Sequence, residues 1–134
     1  MKLSSKTVTA IKMFIDLGEH YEEGYVSLID ISTRKDVSKK FLEQIVSIYK
    51  NNGLLLGSRG NQGGYNLAKS PKEISLKDII YISESTFQKD NYNYPPVDSY
   101  LEKVDDLLED YFSNISLSSL IEKQKELYSN SYII

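Results

Sequence analysis

Ser38-Lys39-Lys40-Phe41-Leu42-Glu43-Gln44-Ile45-Val46-Ser47-Ile48-Tyr49-Lys50-Asn51-Asn52-Gly53 runs directly into Leu54-Leu55-Leu56-Gly57-Ser58, Arg59-Gly60-Asn61-Gln62-Gly63-Gly64 and Tyr65-Asn66-Leu67-Ala68. The first part predicts a helix from Ser38 to about Asn52. Leu42, Ile45, Val46 and Tyr49 recur at three-to-four spacing and face a core, Phe41 and Ile48 lie at its margins, and Gly53 closes the C-terminus. The two short apolar runs that follow are strand-like and flank a glycine-rich polar turn, so they predict a hairpin.

Upstream, residues 4–21 predict a first helix. Ser4 or Ser5 caps it, and Val8, Ile11, Met13, Phe14, Ile15 and Leu17 form its apolar face. Residues 26–36 predict a short second helix, with Ser27 and Asp30 at capping-box spacing. Downstream, Pro71 breaks the chain and a fourth helix runs from Ser75 to about Glu84. Residues 86–98 are polar, contain Pro95-Pro96 and predict an exposed loop. Residues 99–114 predict a strongly periodic helix with Tyr100, Leu101, Val104, Leu107, Leu108, Tyr111 and Phe112 on one face. A further helix over about 117–128 precedes the tail 129–134. Helix, short helix, helix, hairpin is the order of a winged helix-turn-helix. The expected fold is therefore mainly α with a small β-hairpin wing and a long C-terminal dimerisation helix. Its expected divisions are a DNA-binding domain over 1–85, a loop over 86–98, and a dimerisation helix with a tail over 99–134.

Composition limits the chemistry. The 134 residues include no cysteine, which excludes disulfides, thiolate metal sites and cysteine nucleophiles. No apolar run approaches the length of a membrane span, and Met1–Lys6 lacks the apolar stretch of a signal peptide, so a cytoplasmic protein is expected. The net charge of −3 hides an asymmetry: residues 1–72 carry a balance of +4 and residues 73–134 a balance of −7. Such a division implies different partners for the two halves.

The outer stripe of the third helix is Lys40, Glu43, Gln44, Ser47 and Asn51. These are hydrogen-bonding side chains of the kind that read base edges in a major groove. Glu43 accepts from cytosine N4, Gln44 pairs with adenine, and Lys39 and Lys40 contact phosphates. Taken alone the stripe is also what an ordinary solvated helix face looks like. The hairpin shifts that balance. Its turn has little bulk and carries one long cation, Arg59, suited to a narrow minor groove, with Asn61 and Gln62 beside it. A nucleotide-cradling loop is excluded, because a strand rather than a helix follows the glycines. Catalysis finds no support. His20 is the single histidine, near the end of the first helix. Asp105, Asp106, Glu109 and Asp110 form the wet side of an amphipathic helix, and no metal or cofactor is expected. The eleven tyrosines fall mostly on apolar faces, where packing is the ordinary role.

Several segments carry a family resemblance: Met1–Ser4, Glu23–Leu28, Ser38–Gln44, Asn52–Leu55, Ser58–Tyr65 and Glu73–Ile79. In order and spacing they resemble the Rrf-two (Rrf2) family of winged-helix regulators, the IscR/NsrR/CymR type. The Leu-Glu-Gln and Arg-Gly-x-x-Gly-Gly-Tyr combination is the specific part. The resemblance implies base reading by Ser38, Glu43 and Gln44, minor-groove insertion by Arg59, and a homodimer formed through the helix at 99–114. The dimer residues are then Leu101, Val104, Leu108, Tyr111 and Phe112.

Two departures stand out. The family's frequent arginine near the start of helix one is missing from Lys6-Thr7-Val8-Thr9. Cluster-binding members also carry three cysteines in the loop after helix four, whereas residues 86–98 have none. A cysteine-ligated iron–sulfur cluster cannot form in this chain, which is closest in character to the cluster-free CymR type. That branch is similar in sensing sulfur status through cysteine synthase. The ending Tyr132-Ile133-Ile134, after a polar Ser129-Asn130-Ser131, is either a tail that docks in that enzyme or a frayed terminus whose isoleucines pack on the dimer. The expected function is a repressor acting as a homodimer on a pseudo-palindromic operator in double-stranded DNA. The competing reading is a protein-interaction adaptor that has lost operator binding, and the intact Glu43, Gln44 and Arg59 oppose it.

Overall fold

A computed structural model describes residues 1–87 and 90–131 of the chain. Helix α1 spans Ser5–Glu19, α2 Leu28–Lys35, α3 Lys39–Asn51, α4 Leu76–Ser83, α5 Pro95–Ser113 and α6 Leu117–Ser131. Strands β1 (Leu55–Ser58) and β2 (Gly64–Leu67) pair antiparallel, with Leu55 opposite Leu67 and Gly57 opposite Tyr65. Short 3₁₀ turns lie at Tyr21–Glu23 and Ser85–Phe87.

Serine caps set most helix starts. The Ser4, Ser27 and Ser38 hydroxyls accept the N–H groups of Thr7, Asp30 and Phe41, satisfying donors that the first turn leaves open. Ser75 and Asp78 complete a reciprocal capping box at α4. Gly53 ends α3 with a φ of 77°, a conformation that costs glycine little, and the Leu54 N–H then bonds back to the Tyr49 carbonyl at 3.0 Å.

The core fills the space between α1, α3, the hairpin and α4. Tyr49 is its largest fully buried side chain. The Tyr49 ring meets Phe14 edge-on at 4.9 Å, and its hydroxyl donates to the Ile79 carbonyl at 2.8 Å. Helix α6 closes the same core. Leu117 and Ile121 are buried against α1, where a Cβ on Gly18 would stand 2.6 Å from Ile121 Cδ1. Two polar ties bind α2 to its neighbours. Arg34 Nε and Nη2 donate to the buried Asp16 carboxylate at 2.8 and 2.9 Å, and Lys35 pairs with Glu19 at 2.8 Å.

Several expectations are corrected. Val8 is 40% exposed. The buried stripe of α1 runs through Thr7, Ala10, Phe14 and Leu17, which leaves position 8 about 100° away on the helix. Residues 95–98 are helix rather than loop. Pro95 and Pro96 occupy the first turn, where a missing N–H breaks no bond, and Asp98 accepts the N–H groups of Tyr92 and Tyr94 at 2.9 and 2.8 Å. Residues 129–131 belong to α6 rather than to a tail. Tyr132, Ile133 and Ile134 lie outside the described residues. Phe112, expected on an interface, is only 9% exposed and packs against Phe87 of its own chain at 5.9 Å. Tyr25, Tyr92, Tyr94, Tyr100, Tyr111 and Tyr128 are exposed in this chain, so any packing role they have lies outside its core. His20 caps α1, with Nδ1 2.8 Å from the Asp16 carbonyl. Among the described residues no helix is long and apolar enough to cross a membrane.

Burial pushes the Tyr49 phenol up to about 12. The fold therefore favours its neutral form. That stabilisation is complete below the ordinary phenol value of about 10 and is lost as pH rises through the folded value. Tyr49→Phe is expected to cost about 1 kcal/mol at neutral pH through the lost hydrogen bond. Urea titrations should show the gap to the wild type narrowing from pH 10 upward, and a constant gap would contradict the assignment.

Candidate nucleic-acid interface

The turn between α2 and α3 is tight because Asp36 adopts a left-handed φ of 52°, a conformation that aspartate tolerates better than most residues. It delivers α3 with Leu42, Ile45, Val46 and Tyr49 buried and its opposite side wet. Lys39, Lys40, Glu43, Gln44, Ser47 and Asn51 are all exposed. Glu43 and Lys39 form an ion pair at 3.4 Å, each about half-exposed. Such a pair is worth under about 1 kcal/mol, so both side chains are free to exchange it for another partner. Ser38 is also exposed, and although its hydroxyl oxygen accepts the Phe41 N–H as the α3 cap, its proton and second lone pair remain for an outward contact.

The hairpin is docked by its own backbone. Val26 and Tyr65 exchange two hydrogen bonds of 2.9 Å, which fixes the wing against the lead-in to α2. Asn66 adds a bond to the Tyr21 carbonyl at 3.1 Å. The close approach requires glycine at position 64, where φ is 153° and any Cβ would collide with the Val26 carbonyl oxygen. Gly63 is equally closed, by the Ser58 carbonyl. Arg59 stands exposed at the turn, with no carboxylate at ion-pair distance among the described residues. Asn61 and Gln62 are exposed too, but they border a shallow groove with Glu23, Gly24, Tyr25, Ser27 and Asp30. The carboxylates of that groove work against contact with a phosphate backbone at these two positions.

The sequence reading passed over Lys50. It lies seven residues beyond Glu43 and three beyond Ser47, on the same outer stripe, and reaches the hairpin at Gly57. Its helical spacing was the available signal.

A polar helix face adjoining a docked hairpin with a free arginine defines a winged-helix DNA-binding regulator. The profile of the Rrf2 family, described as an iron-dependent transcriptional regulator, matches residues 3–123. Over 81 residues the chain is 41% identical to the HTH-type transcriptional regulator IscR of Photorhabdus laumondii, covering 60% of this chain and 49% of that one. The chain thus matches about half the length of the curated relatives. Among solved structures, IscR of T. potens aligns with a TM-score of 0.77 at 33% identity, covering 95% of this chain and 90% of that one. CymR, the global cysteine regulator of B. subtilis, aligns with a TM-score of 0.78 at 28% identity, covering 92% and 98%. The chain belongs to the Rrf2 family of transcriptional regulators.

The iron in the family description does not suit the donors present. The sequence offers no thiolate, and among the described residues no three His, Asp or Glu side chains gather into a group able to hold a metal ion.

Gly64→Ala separates wing docking from folding. The added methyl group displaces β2 from Val26, and because Val26 and Leu67 share the core with Leu42 and Tyr49, some stability is lost with the docking while the helices persist. We expect binding to a promoter fragment to weaken at least as much as with Arg59 truncated, with helical circular dichroism retained. Wild-type affinity in this variant would show that the docked wing is not needed.

Proposed function

We propose that the chain represses transcription as a homodimer on a pseudo-palindromic operator, without an iron–sulfur cluster, in control of cysteine and sulfur metabolism in the cytoplasm. One observation carries the reading: the exposed stripe of α3 adjoins a hairpin whose arginine has no carboxylate at ion-pair distance among the described residues. In this arrangement Ser38, Glu43, Gln44 and Ser47 read the major groove, Lys39 and Lys40 hold phosphates, and Arg59 enters the adjacent minor groove.

The dimer reading rests on α5. Tyr100, Leu107 and Tyr111 are 77%, 60% and 66% exposed, and Leu101 and Val104 are exposed beside them, with Leu108 half-buried. Burying one such side chain stabilises by about 1.5–3 kcal/mol, so a row of them left in water favours a second copy. Phe112 braces this helix from within its own subunit. In this arrangement residues 1–85 bind DNA and the chain from 99 onward dimerises, with α6 also packed on the DNA-binding core.

The sulfur link draws on the likeness to CymR, the global cysteine regulator of B. subtilis, with the apolar segment Tyr132-Ile133-Ile134 as the proposed contact with cysteine synthase.

Gel-shift titration against the chain's own promoter should give tight binding that weakens steeply with salt. Arg59→Ala is expected to cost about 1–3 kcal/mol of binding with the dimer intact. Failure to retard any fragment of a genomic library overturns the regulator reading. Cysteine synthase should tighten the wild-type complex, and deletion of Ile133 and Ile134 should abolish that gain. An undiminished gain in the truncated chain removes the tail from the contact.

A further inference from the structure

Lys50 stands on the last turn of α3, and its side chain lies across the hairpin. Its Nζ and Cε sit 3.4 and 3.7 Å from the point where a Cβ would stand on Gly57. Cε1 of Tyr65, which pairs with Gly57 across the two strands, lies 3.4 Å from the same point. A methyl group at position 57 would lie in ordinary contact with the amine, and a branched side chain extending beyond it would compete for the space that the amine occupies. The small residue at position 57 leaves room for α3 to lay a cation over the hairpin.

The amine is also unneutralised. Lys35, Lys39 and Lys77 each meet a carboxylate, at 2.8, 3.4 and 2.8 Å. Lys50 has no carboxylate within ion-pair distance among the described residues. A lysine in a last helical turn is favourable to the helix dipole, which accounts for its position on α3 but not for its reach across β1.

The geometry of the duplex supplies the rest, and this step rests on the reading that α3 and the wing both engage DNA. The major groove, about 12 Å wide, and the minor groove, about 6 Å wide, are separated by one sugar–phosphate strand. A protein that puts a helix in the first and a loop in the second must straddle that strand. The side chains nearest to it are those at the join between helix and hairpin, which is where Lys50 and Gly57 meet. An ammonium is a compact point charge, suited to a phosphate and without the planar fork that reads a guanine.

We propose that Lys50 is a further DNA-contact residue, gripping the phosphodiester strand between the two grooves, and that Gly57 is the seat that holds it there. The contact adds affinity and fixes register without contributing to sequence choice.

Fluorescence anisotropy with the full chain, a retarded promoter fragment and a scrambled duplex tests this over a salt series. Lys50→Gln keeps most of the stem and removes the charge. It should weaken binding to both duplexes by about tenfold and lower the slope of log affinity against log salt by about one, leaving their ratio unchanged. Gly57→Val, which retains the lysine but fills its seat, should reproduce the slope change. Glu43→Ala should instead alter the ratio.

An unchanged slope in Lys50→Gln overturns the proposal, as does a lowered melting temperature with wild-type DNA binding, which would make Lys50 a helix-dipole partner only. If the wild-type chain shows no salt-dependent binding to any duplex, the underlying DNA reading fails and this contact with it. The proposal alone fails when the wild type binds and Lys50→Gln matches it.

Discussion

The Asp16 carboxylate is 1% exposed, and Arg34 reaches it from the neighbouring helix with two hydrogen bonds. A charge this deep costs several kcal/mol unless it is met in good geometry, so α2 is held wherever Arg34 can span the gap. The hydrogen bonds to Asp16 in turn push the Arg34 pKa up. The position of α2 sets the left-handed turn at Asp36, and the turn sets the direction of α3. Beside this pair, Glu19 meets both Lys35 and Gln124, which brings α6 into the same junction. The presentation of α3 thus depends on the ion pairs that join the two helices preceding it, with the buried Asp16 as their centre.

A second set of polar contacts runs beneath α3 on its other side. The Thr7 and Ser83 hydroxyls lie 2.7 Å apart, the Ser4 N–H donates to Glu84 at 2.8 Å, and Tyr49 donates to Ile79. These bonds join the start of α1, the last turn of α3 and helix α4 where neither water nor apolar packing would fix direction. The charge asymmetry follows the same division of labour. The acidic surplus falls on the later helices, and Lys77 with Glu109 uses part of it to hold α5 to α4 at 2.8 Å. The cations of α3 and the wing are left facing outward.

Much of this was legible because its causes are local. The serine caps, the apolar stripe of α3 and the glycine-rich turn each lie within a few residues of what they determine, and the expected fold follows from them. The misreadings arose where the cause is distant. Nothing near Val8 shows that Thr7 would be chosen for burial by Ser83, a partner 76 positions away. Pro95-Pro96 fits a loop or a helix start equally until Asp98 is seen closing the first turn. Phe112 continues the apolar face of its helix, and only the return of Phe87 shows that it serves its own subunit. In the candidate site, Glu43, Gln44 and Arg59 stand out from residue type and position, and the structure leaves all three exposed. Lys50 escaped because its significance comes from an absent side chain on a different element.

The burial of Ile121 over Gly18 joins the first helix of the chain to the last described one. A nascent chain on the ribosome therefore cannot complete the packing of α1 when the recognition helix and wing have emerged. Some fifty further residues must follow before Leu117 and Ile121 arrive. Until then the half-built domain lacks the cover on α1 that helps hold α2 and α3 in place. Maturation is thereby ordered in time: the surface formed by α3 and the hairpin reaches its final form only once translation has passed the segment that also carries α5.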